Sequence, residues 1–166
     1  MVVGSFASNY HGVPRMTQDA DIVIDVDERS VVNLVKRFAG DFYVSEDAAR
    51  QAVQTRRPFN VIHLATAFKV DLVVKKQRPF SDEELRRRED GMLAERTVSF
   101  ASAEDTVLTK LEWASMSESD RQYGDAVGII NVQGARLDWD YLERWAEELG
   151  MTDLLLRAQR GEPFRS

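Results

Sequence analysis

Asp19-Ala20-Asp21-Ile22-Val23-Ile24-Asp25-Val26 is the stretch that decides the fold. Carboxylates at positions 19, 21 and 25 alternate with apolar side chains at positions 20, 22, 24 and 26. Successive side chains of a β-strand point to opposite faces, so this period of two predicts a strand. One face of that strand belongs to the core, and the other carries carboxylates.

A further acidic position lies on another predicted strand. Residues 59–64 and 68–74 are rich in β-forming side chains and are separated by a short Ala-Thr-Ala link, which predicts a hairpin. Lys69 and Asp71 share the face opposite the apolar one. Asp71 therefore points away from the core, as an active-site side chain would if this strand lies beside the strand that carries Asp19.

The first residues predict the start of a phosphate site. Two valines run into Gly4 and Ser5, which indicates a short buried strand followed by a turn. Ser5 is expected to cap a short helix over residues 6–10, and Gly12 is expected to end it. Backbone N–H groups at the start of a helix bind phosphate, so this turn is the predicted phosphate end of the site.

Helical periodicity and capping residues place the remaining elements. Helices are predicted over residues 30–38, 46–54, 103–116, 119–130 and 139–149, after Ser81 in a capping box with Glu84, and from Thr152, and a strand over residues 96–100. This order predicts an α/β (α+β) fold, with a small mixed β-sheet core and flanking helices followed by a C-terminal helical part. We expect residues 1–100 to form the core and residues 101–166 to pack on it, in one compact unit.

Composition limits the class of protein and the kind of site. The chain has 166 residues, of which 43% are hydrophobic, and this length supports one sizeable core. It has no cysteine, so a metal would be held by oxygen or imidazole ligands. Its apolar runs are shorter than the ~20 residues of a membrane helix, and its first residues lack an export signal. We therefore expect a cytoplasmic protein with no membrane partner.

Basic residues concentrate in the middle of the chain. Residues 50–96 hold 11 basic and 7 acidic side chains, although the whole chain has a net charge of −6. Such a segment could face a polyanion such as RNA. The alternative is that Arg86, Arg87 and Arg88 form only the solvated side of a helix.

The acidic positions suit metal-dependent phosphoryl transfer. Mg²⁺ prefers carboxylate and phosphate oxygens, and two such ions can activate an attacking hydroxyl and stabilise the leaving pyrophosphate. Asp19, Asp21 and Asp71 are therefore the candidate catalytic and metal-binding residues. The alternative is that they are ordinary solvent-facing acids of a half-exposed sheet.

The order of these motifs resembles the DNA polymerase β-like nucleotidyltransferase superfamily, with Gly4-Ser5, then thirteen residues, then Asp19-Ala20-Asp21-Ile22, and later Val70-Asp71-Leu72. Within it, a small bacterial branch of abortive-infection-type nucleotidyltransferase toxins is similar at Asn9-Tyr10-His11-Gly12, Arg15, Thr17 and Asp19. The close likeness covers residues 3–26 and 68–74, and beyond them only the layout agrees.

The resemblance implies a site that holds two Mg²⁺ ions and a nucleoside triphosphate as donor. It implies that Gly4 and Ser5 contact the triphosphate. It also implies that Asp19 and Asp21 bind both ions, and that Asp71 binds the catalytic ion and helps to deprotonate the acceptor hydroxyl.

Four further residues are candidates for binding or accessory roles. By the same resemblance, Lys110 is expected to reach the triphosphate from the helical part, and the alternative is an exposed helical lysine. Arg121 and Asp125 resemble an Arg-x-x-x-Asp element of the toxin branch, or form a routine helix-stabilising pair. Arg15 could steady phosphate or substrate.

These motifs predict the donor half of a reaction, in which a nucleoside monophosphate passes from a triphosphate to a hydroxyl of an unknown acceptor. An RNA 3′ end is the favoured acceptor, and a protein side chain and a cationic aminoglycoside-type molecule are the others. The alternative function is a catalytically silent nucleotide-binding or toxin–antitoxin interaction module, with a cognate antitoxin as partner. Members of the branch commonly carry a helix before the first strand, and exposure of the surface it would cover favours a homodimer.

Overall fold

Seven strands form one mixed sheet in the computed structural model, which describes residues 1–165. The strands are β1 (Val2–Val3), β2 (Asp19–Ile24), β3 (Phe42–Tyr43), β4 (Pro58–His63), β5 (Lys69–Val74), β6 (Glu89–Leu93) and β7 (Arg96–Phe100), in the spatial order β3-β4-β5-β2-β1-β7-β6. The helices are α1 (Gly4–His11), α2 (Glu28–Phe38), α3 (Glu46–Thr55), α4 (Pro79–Arg86), α5 (Ala103–Ser117), α6 (Asp120–Gln133), α7 (Trp139–Glu148) and α8 (Thr152–Gln159). Over the described range, none of these helices combines the length and the hydropathy that a membrane crossing requires.

The parallel pair of β2 and β5 occupies the centre of the sheet. Asp19 lies opposite Lys69, and Asp21 lies opposite Asp71. β4 and β5 pair antiparallel, and β1 pairs antiparallel with β2. The predicted hairpin and the predicted contact between the two acidic strands are confirmed.

The apolar faces of β2 and β5 pack under α2 and α3. Leu72 and Val74 are buried there with Val31 of α2 and Val53 of α3, and Ile22 packs against the same cluster. Because side chains alternate along a strand, covering this face leaves the alternate, acidic positions on the other one.

A second core forms among the helices. It buries Phe80 of α4 with Leu108 and Leu111 of α5, Ile129 of α6 and Leu142 of α7. The predicted fold class, a mixed sheet followed by a run of helices, is confirmed. The division of the chain into two parts at residue 100 stays a prediction. Phe80 of α4, from the first part, packs in the core of the later helices.

A buried carboxylate ties α4, α5 and α7 together. Asp105 accepts a hydrogen bond from the hydroxyl of Tyr141 at 2.5 Å and another from that of Ser102 at 2.7 Å. The guanidinium of Arg87 stacks on the Tyr141 ring, 3.8 Å from its centroid, and donates to Glu104 at 3.0 Å. A fully buried charge needs such partners, and here they fix the position of α4 against the start of α5.

Two short strands were not predicted from the sequence pattern. β3 has only two residues, too few for a periodic signal. β6 contains Glu89, Asp90 and Gly91, which are poor strand formers, and it forms because it pairs antiparallel with β7. The turn between β6 and β7 places Ala94 in the left-handed region, with a φ of 52°.

Two predicted helix caps are wrong. α1 begins at Gly4, so Ser5 lies inside the helix and Val3 is the N-cap residue. α4 begins at Pro79 after Arg78, so Ser81 also lies inside its helix. A proline at the first helical position has a φ already suited to the helix, which explains a start without a side-chain cap.

Glu84, the other residue of the predicted capping box, is buried. It is 7% exposed, and it accepts a long hydrogen bond of 3.4 Å from the hydroxyl of Thr109 on α5. Burial, assisted by the Asp105 carboxylate, raises the pKa of Glu84 to about 7, although Arg78 opposes the shift. The folded protein therefore favours the protonated form of Glu84.

The stability of the protein should fall as Glu84 ionises. Because the folded-state pKa lies above the ordinary value of 4.5, this contribution is complete below pH 4.5 and is lost as the pH rises through 7. Glu84→Gln is expected to be more stable than wild type by about 3 kcal/mol at pH 8 and equal to it near pH 4.5. Urea unfolding at the two pH values measures this difference.

Glu83→Gln is the matched control, because Glu83 is the adjacent acid of α4 and pairs with Arg86. It should show no gain in stability at pH 8. A gain for Glu84→Gln of the same size at both pH values would contradict the ionisation argument.

Candidate active site

The register of β2 and β5 gathers the three predicted aspartates on one face. Asp21 and Asp71 are direct neighbours across the parallel pair, and Asp19 shares the face of Asp21 because it lies two residues before it. We call Asp19, Asp21 and Asp71 the carboxylate cluster. The structure thus places side by side three residues that are up to 52 positions apart in the sequence.

The carboxylates of this cluster repel one another. Burial raises the pKa of Asp21 above its ordinary value of 3.8, and the charges of Asp19 and Asp71 raise it further. Lys110 and Lys69 offset part of the shift. A bound cation would relieve this repulsion.

The ammonium of Lys69 lies between two of the three carboxylates. Its Nζ is 2.9 Å from Oδ2 of Asp71 and 3.5 Å from Oδ2 of Asp19. The hydrogen bond to Asp71 and the charge of that carboxylate raise the pKa of Lys69, and the charge of Asp19 adds to the shift. The cluster therefore already contains one positive charge from the protein.

The chemistry of the cluster fits a magnesium ion, although its side chains do not yet converge on one point. Oδ1 of Asp71 is buried and has no hydrogen-bond partner among the described residues, so the cluster contains an unsatisfied oxygen of the kind that Mg²⁺ prefers. Over residues 1–165, no three acidic or histidine side chains lie close enough together to hold a metal ion. Binding an ion would thus require these carboxylates to turn toward each other.

Gly4 allows α1 to start directly against the cluster. Its φ is +61°, in the left-handed region that favours glycine. A Cβ at this position would lie 2.0 Å from Oδ2 of Asp21. The Asp21 carboxylate therefore packs on the backbone at the start of α1, and any larger residue would displace it.

A chain of hydrogen bonds joins α1 to α5 and α6. Arg15 donates to both carboxylate oxygens of Asp125 at 2.8 Å and to Oγ of Ser5 at 2.8 Å. Lys110 donates to Oδ2 of Asp125 at 2.8 Å and to Gln122 at 2.7 Å. Two cations from different parts of the chain thus share the carboxylate of Asp125.

The Lys110–Asp125 ion pair is buried, so each of its charges depends on the other for compensation. The side chains of Lys110 and Asp125 are 3% and 9% exposed. Burial lowers the pKa of Lys110, although its bond to Asp125 opposes the shift. Burial would raise the pKa of Asp125, but the hydrogen bonds from Arg15 and Lys110 hold it below its ordinary value. Asp125 is therefore ionised and balances the buried lysine.

Two of the alternatives weighed from the sequence are wrong. Lys110 is not an exposed helical lysine, because it is buried and bonded on both sides. Among the described residues, Asp125 pairs with Arg15 and Lys110 rather than with Arg121 one turn away. Arg121 instead lines the cavity beside the cluster.

That cavity has a volume of about 300 Å³, at the lower end of the range for small-molecule sites. Asp19 and Asp21 line it, as do Val23 and Val73 of the same sheet face and Trp113 of α5. The lining therefore combines charged with apolar side chains, which suits a ligand that has a charged part and an apolar part.

Sequence reasoning did not single out Lys69 or Glu84, and both belong to this region. A signal for Lys69 existed, because it shares a strand face with Asp71 two residues later. Glu84 lines the cavity, and nothing in a charged helix distinguishes a buried glutamate from exposed ones.

The basic middle segment is largely neutralised within the fold. Six of its 11 basic residues pair with acidic side chains, namely Arg50, Lys69, Lys75, Arg78, Arg86 and Arg87. Arg87 packs against Tyr141, so the run of three arginines is not simply a solvated helix face. Charges engaged in ion pairs attract a polyanion less strongly, which weakens the charge argument for RNA.

Comparison with solved structures identifies a similar fold. The crystal structure of an antigenic nucleotidyltransferase-like protein from Paracoccidioides brasiliensis matches with a TM-score of 0.54 and 20% identity, over 98% of this chain and 84% of that one. The fold is nucleotidyltransferase-like. At this identity the likeness shows the fold alone, and the predicted kinship to the toxin branch stays a prediction. Neither a family model nor a curated protein matches the chain.

Gly4→Ala tests the contact between α1 and Asp21. It is expected to lower the free energy of unfolding by about 3 kcal/mol, because the left-handed conformation and the collision of Cβ with Asp21 both cost energy. Gly134→Ala is the matched control, since Gly134 has a φ of +55° and nothing within 4 Å of its added Cβ. Chemical denaturation measures both losses, and that of Gly134→Ala should be the smaller.

In an Asp21→Ala background, Gly4→Ala should lower the free energy of unfolding by no more than Gly134→Ala does. An undiminished loss would show that the Asp21 carboxylate is not what excludes a side chain at position 4.

Asp125→Asn tests the buried ion pairs. The substitution should destabilise the protein by about 3 kcal/mol, because Lys110 would stay buried without its counter-charge. Arg121→Gln on the same helix is the control and should change stability by less than about 0.5 kcal/mol. Adding Lys110→Met to Asp125→Asn should recover most of the loss in a denaturation experiment, and no recovery would refute the buried-charge explanation.

Proposed function

We propose that this protein transfers a nucleoside monophosphate from a nucleoside triphosphate to a hydroxyl group of an acceptor. The observation that carries the proposal is the carboxylate cluster of β2 and β5 packed against the start of α1 at Gly4. The cluster offers oxygen ligands for a cation, and the helix start offers backbone N–H groups for phosphate. Side by side, they suit a metal-bound triphosphate.

Asp19, Asp21 and Asp71 would hold magnesium, which supplies charge to neutralise the triphosphate and the leaving pyrophosphate. Ser5 is placed to bind phosphate beside them. Its Oγ accepts a hydrogen bond from Arg15, so the Ser5 hydroxyl proton can be donated to a phosphate oxygen. Contact of Gly4 with the phosphates stays a prediction, because Oδ2 of Asp21 occupies the space where a side chain of residue 4 would lie.

Asp71 is the residue best suited to receive the acceptor proton. Its Oδ1 is buried and has no hydrogen-bond partner among the described residues, so a lone pair would be free for the acceptor hydroxyl once the carboxylate turns as metal binding requires. As the acceptor oxygen bonds to the α-phosphorus, the bond from that phosphorus to pyrophosphate breaks, and the hydroxyl proton passes to Asp71.

Arg15 and Lys110 would act by holding the phosphate end in place. Both donate to Asp125, and Arg15 also holds Ser5. Direct contact of either cation with the triphosphate stays a prediction. The nucleoside would lie along Val23 and Val73, with the 49% exposed ring of Trp113 as an aromatic surface.

The acceptor is proposed from the resemblance stated for the sequence. An RNA 3′ end remains the first choice on the resemblance to the toxin layout, and a protein side chain and a cationic small molecule are the alternatives. The ion pairs within residues 50–96 weaken the charge argument for RNA. A cognate antitoxin and a homodimer also stay predictions.

A second candidate function is nucleotide binding without transfer. It is favoured by one observation, which is that Lys69 already bridges Asp19 and Asp71 with its ammonium. If that arrangement persisted with nucleotide bound, the ammonium would offset part of the negative charge of the cluster in place of a metal, and no transfer would follow.

Aspartate variants test the proposed function. With a triphosphate labelled at the α-phosphate, Asp19→Asn and Asp71→Asn should each lower label transfer at least about 100-fold, because the ligands for the charge-neutralising ion are lost. Asp25→Asn is the matched control. Asp25 follows the same strand but pairs with Lys75 rather than with the cluster, so the variant should keep the wild-type rate.

Each of the four labelled triphosphates should be incubated with total RNA, with protein extract and with an aminoglycoside. Magnesium-dependent nucleotide binding without transfer to any acceptor would favour the second candidate function. Equal magnesium-dependent binding by wild type and by the double variant Asp19→Ala/Asp21→Ala would overturn the metal site itself.

A further inference from the structure

Lys69 is a fourth charged residue on the face that carries the carboxylate cluster. It lies opposite Asp19 on β2 and two residues before Asp71 on β5. Its Nζ contacts Oδ2 of Asp71 at 2.9 Å and lies 3.5 Å from Oδ2 of Asp19. One ammonium therefore bridges the two strands within the cluster.

Lys69 occupies the oxygens that a metal ion would need. The other oxygen of Asp19, Oδ1, accepts a hydrogen bond from the hydroxyl of Thr17 at 3.2 Å, and Oδ1 of Asp71 is buried. An ion that drew Asp19 and Asp71 toward one point would therefore compete for the Oδ2 atoms that Lys69 holds. The Lys69 ammonium and a metal ion bound to the same carboxylates would also repel each other strongly.

We propose that Lys69 is an exchangeable counter-ion of the carboxylate cluster, which a divalent cation displaces when it binds. This proposal rests on the proposed function, since it takes the cluster to be a metal site. The Lys69 side chain is 39% exposed and carries its charge on a flexible four-carbon stem, so the ammonium can move into solvent without unfolding β5.

This exchange regulates how the site is loaded. With Lys69 in place, its charge reduces the repulsion among the three carboxylates. The same charge lowers the affinity of the cluster for a free divalent cation. Once displaced, the ammonium becomes a free positive charge at the edge of the site, where it favours an anionic ligand. Metal and triphosphate binding are therefore coupled, each raising the affinity for the other.

Lys75 provides an internal control. It also bridges two carboxylates, with Nζ 3.0 Å from Asp25 and 2.6 Å from Asp82. It follows the last residue of β5, whereas Lys69 is the first. The two lysines thus make similar ion pairs at opposite ends of one strand, and only Lys69 contacts the cluster.

Metal affinity without nucleotide tests the exchange. Lys69→Met removes the charge and keeps the length of the side chain, and it should bind Mn²⁺ about fivefold more tightly than wild type. Lys75→Met and the charge-conserving Lys69→Arg should bind Mn²⁺ as wild type does. The loss of the free Mn²⁺ signal in electron paramagnetic resonance measures binding in each titration.

The outcomes separate this proposal from the proposed function. Equal or weaker Mn²⁺ binding by Lys69→Met, together with lost binding in Asp71→Asn, would overturn the exchange and leave the metal site standing. No binding by wild type and Lys69→Met alike would overturn the metal site and the exchange together.

A second measurement follows the wild-type protein. Amine acylation quantified by mass spectrometry reports how freely each lysine reacts. Saturation with Mg²⁺ alone should raise the acylation of Lys69 and leave that of Lys75 unchanged. Unaltered acylation of Lys69 in a protein that does bind Mg²⁺ would refute the displacement.

Discussion

The in-register, parallel pairing of β2 with β5 is the constraint on which the site depends. It sets Asp21 beside Asp71 and Asp19 beside Lys69. A shift of either strand by one residue would move its carboxylates to the face under α2 and α3, where an unpaired charge is costly. That apolar face is buried by the same alternation that exposes the acids. Core packing and the geometry of the carboxylate cluster are therefore specified by one pattern.

Helices α1, α5 and α6 form the part of the site that adjoins the carboxylate cluster. The start of α1 packs against Asp21, and its position is held through Arg15 by Asp125 of α6. Lys110 of α5 shares that carboxylate, so one buried charge joins α5 to α6 directly and to α1 through the bond of Arg15 to Ser5. The carboxylate cluster supplies the chemistry, and this ion-pair chain supplies the rigidity of the phosphate end.

The sequence pattern predicted the strands and helices whose residues themselves favour that structure. The alternation in residues 19–26 and the helical periodicity of residues 103–116 were sufficient to place β2 and α5. β6 could not be predicted, because its residues disfavour a strand and only pairing with β7 stabilises it. At the site, the acids could be named from their order, but the burial of Glu84 depends on neighbours that sequence patterns do not reveal. Lys69 could have been named from the sequence, because it shares a strand face with Asp71.

The bond between Arg15 and Asp125 joins residues that are 110 positions apart. During synthesis, a chain of the first hundred residues already contains every residue of the carboxylate cluster, yet it lacks the partner that anchors Arg15. The phosphate end can form only after α6 has left the ribosome and docked. Long-range contacts of this kind are made late, because closing a long loop costs entropy before the contact stabilises the fold. The phosphate end of the site is thereby left unformed until α6 has been synthesised.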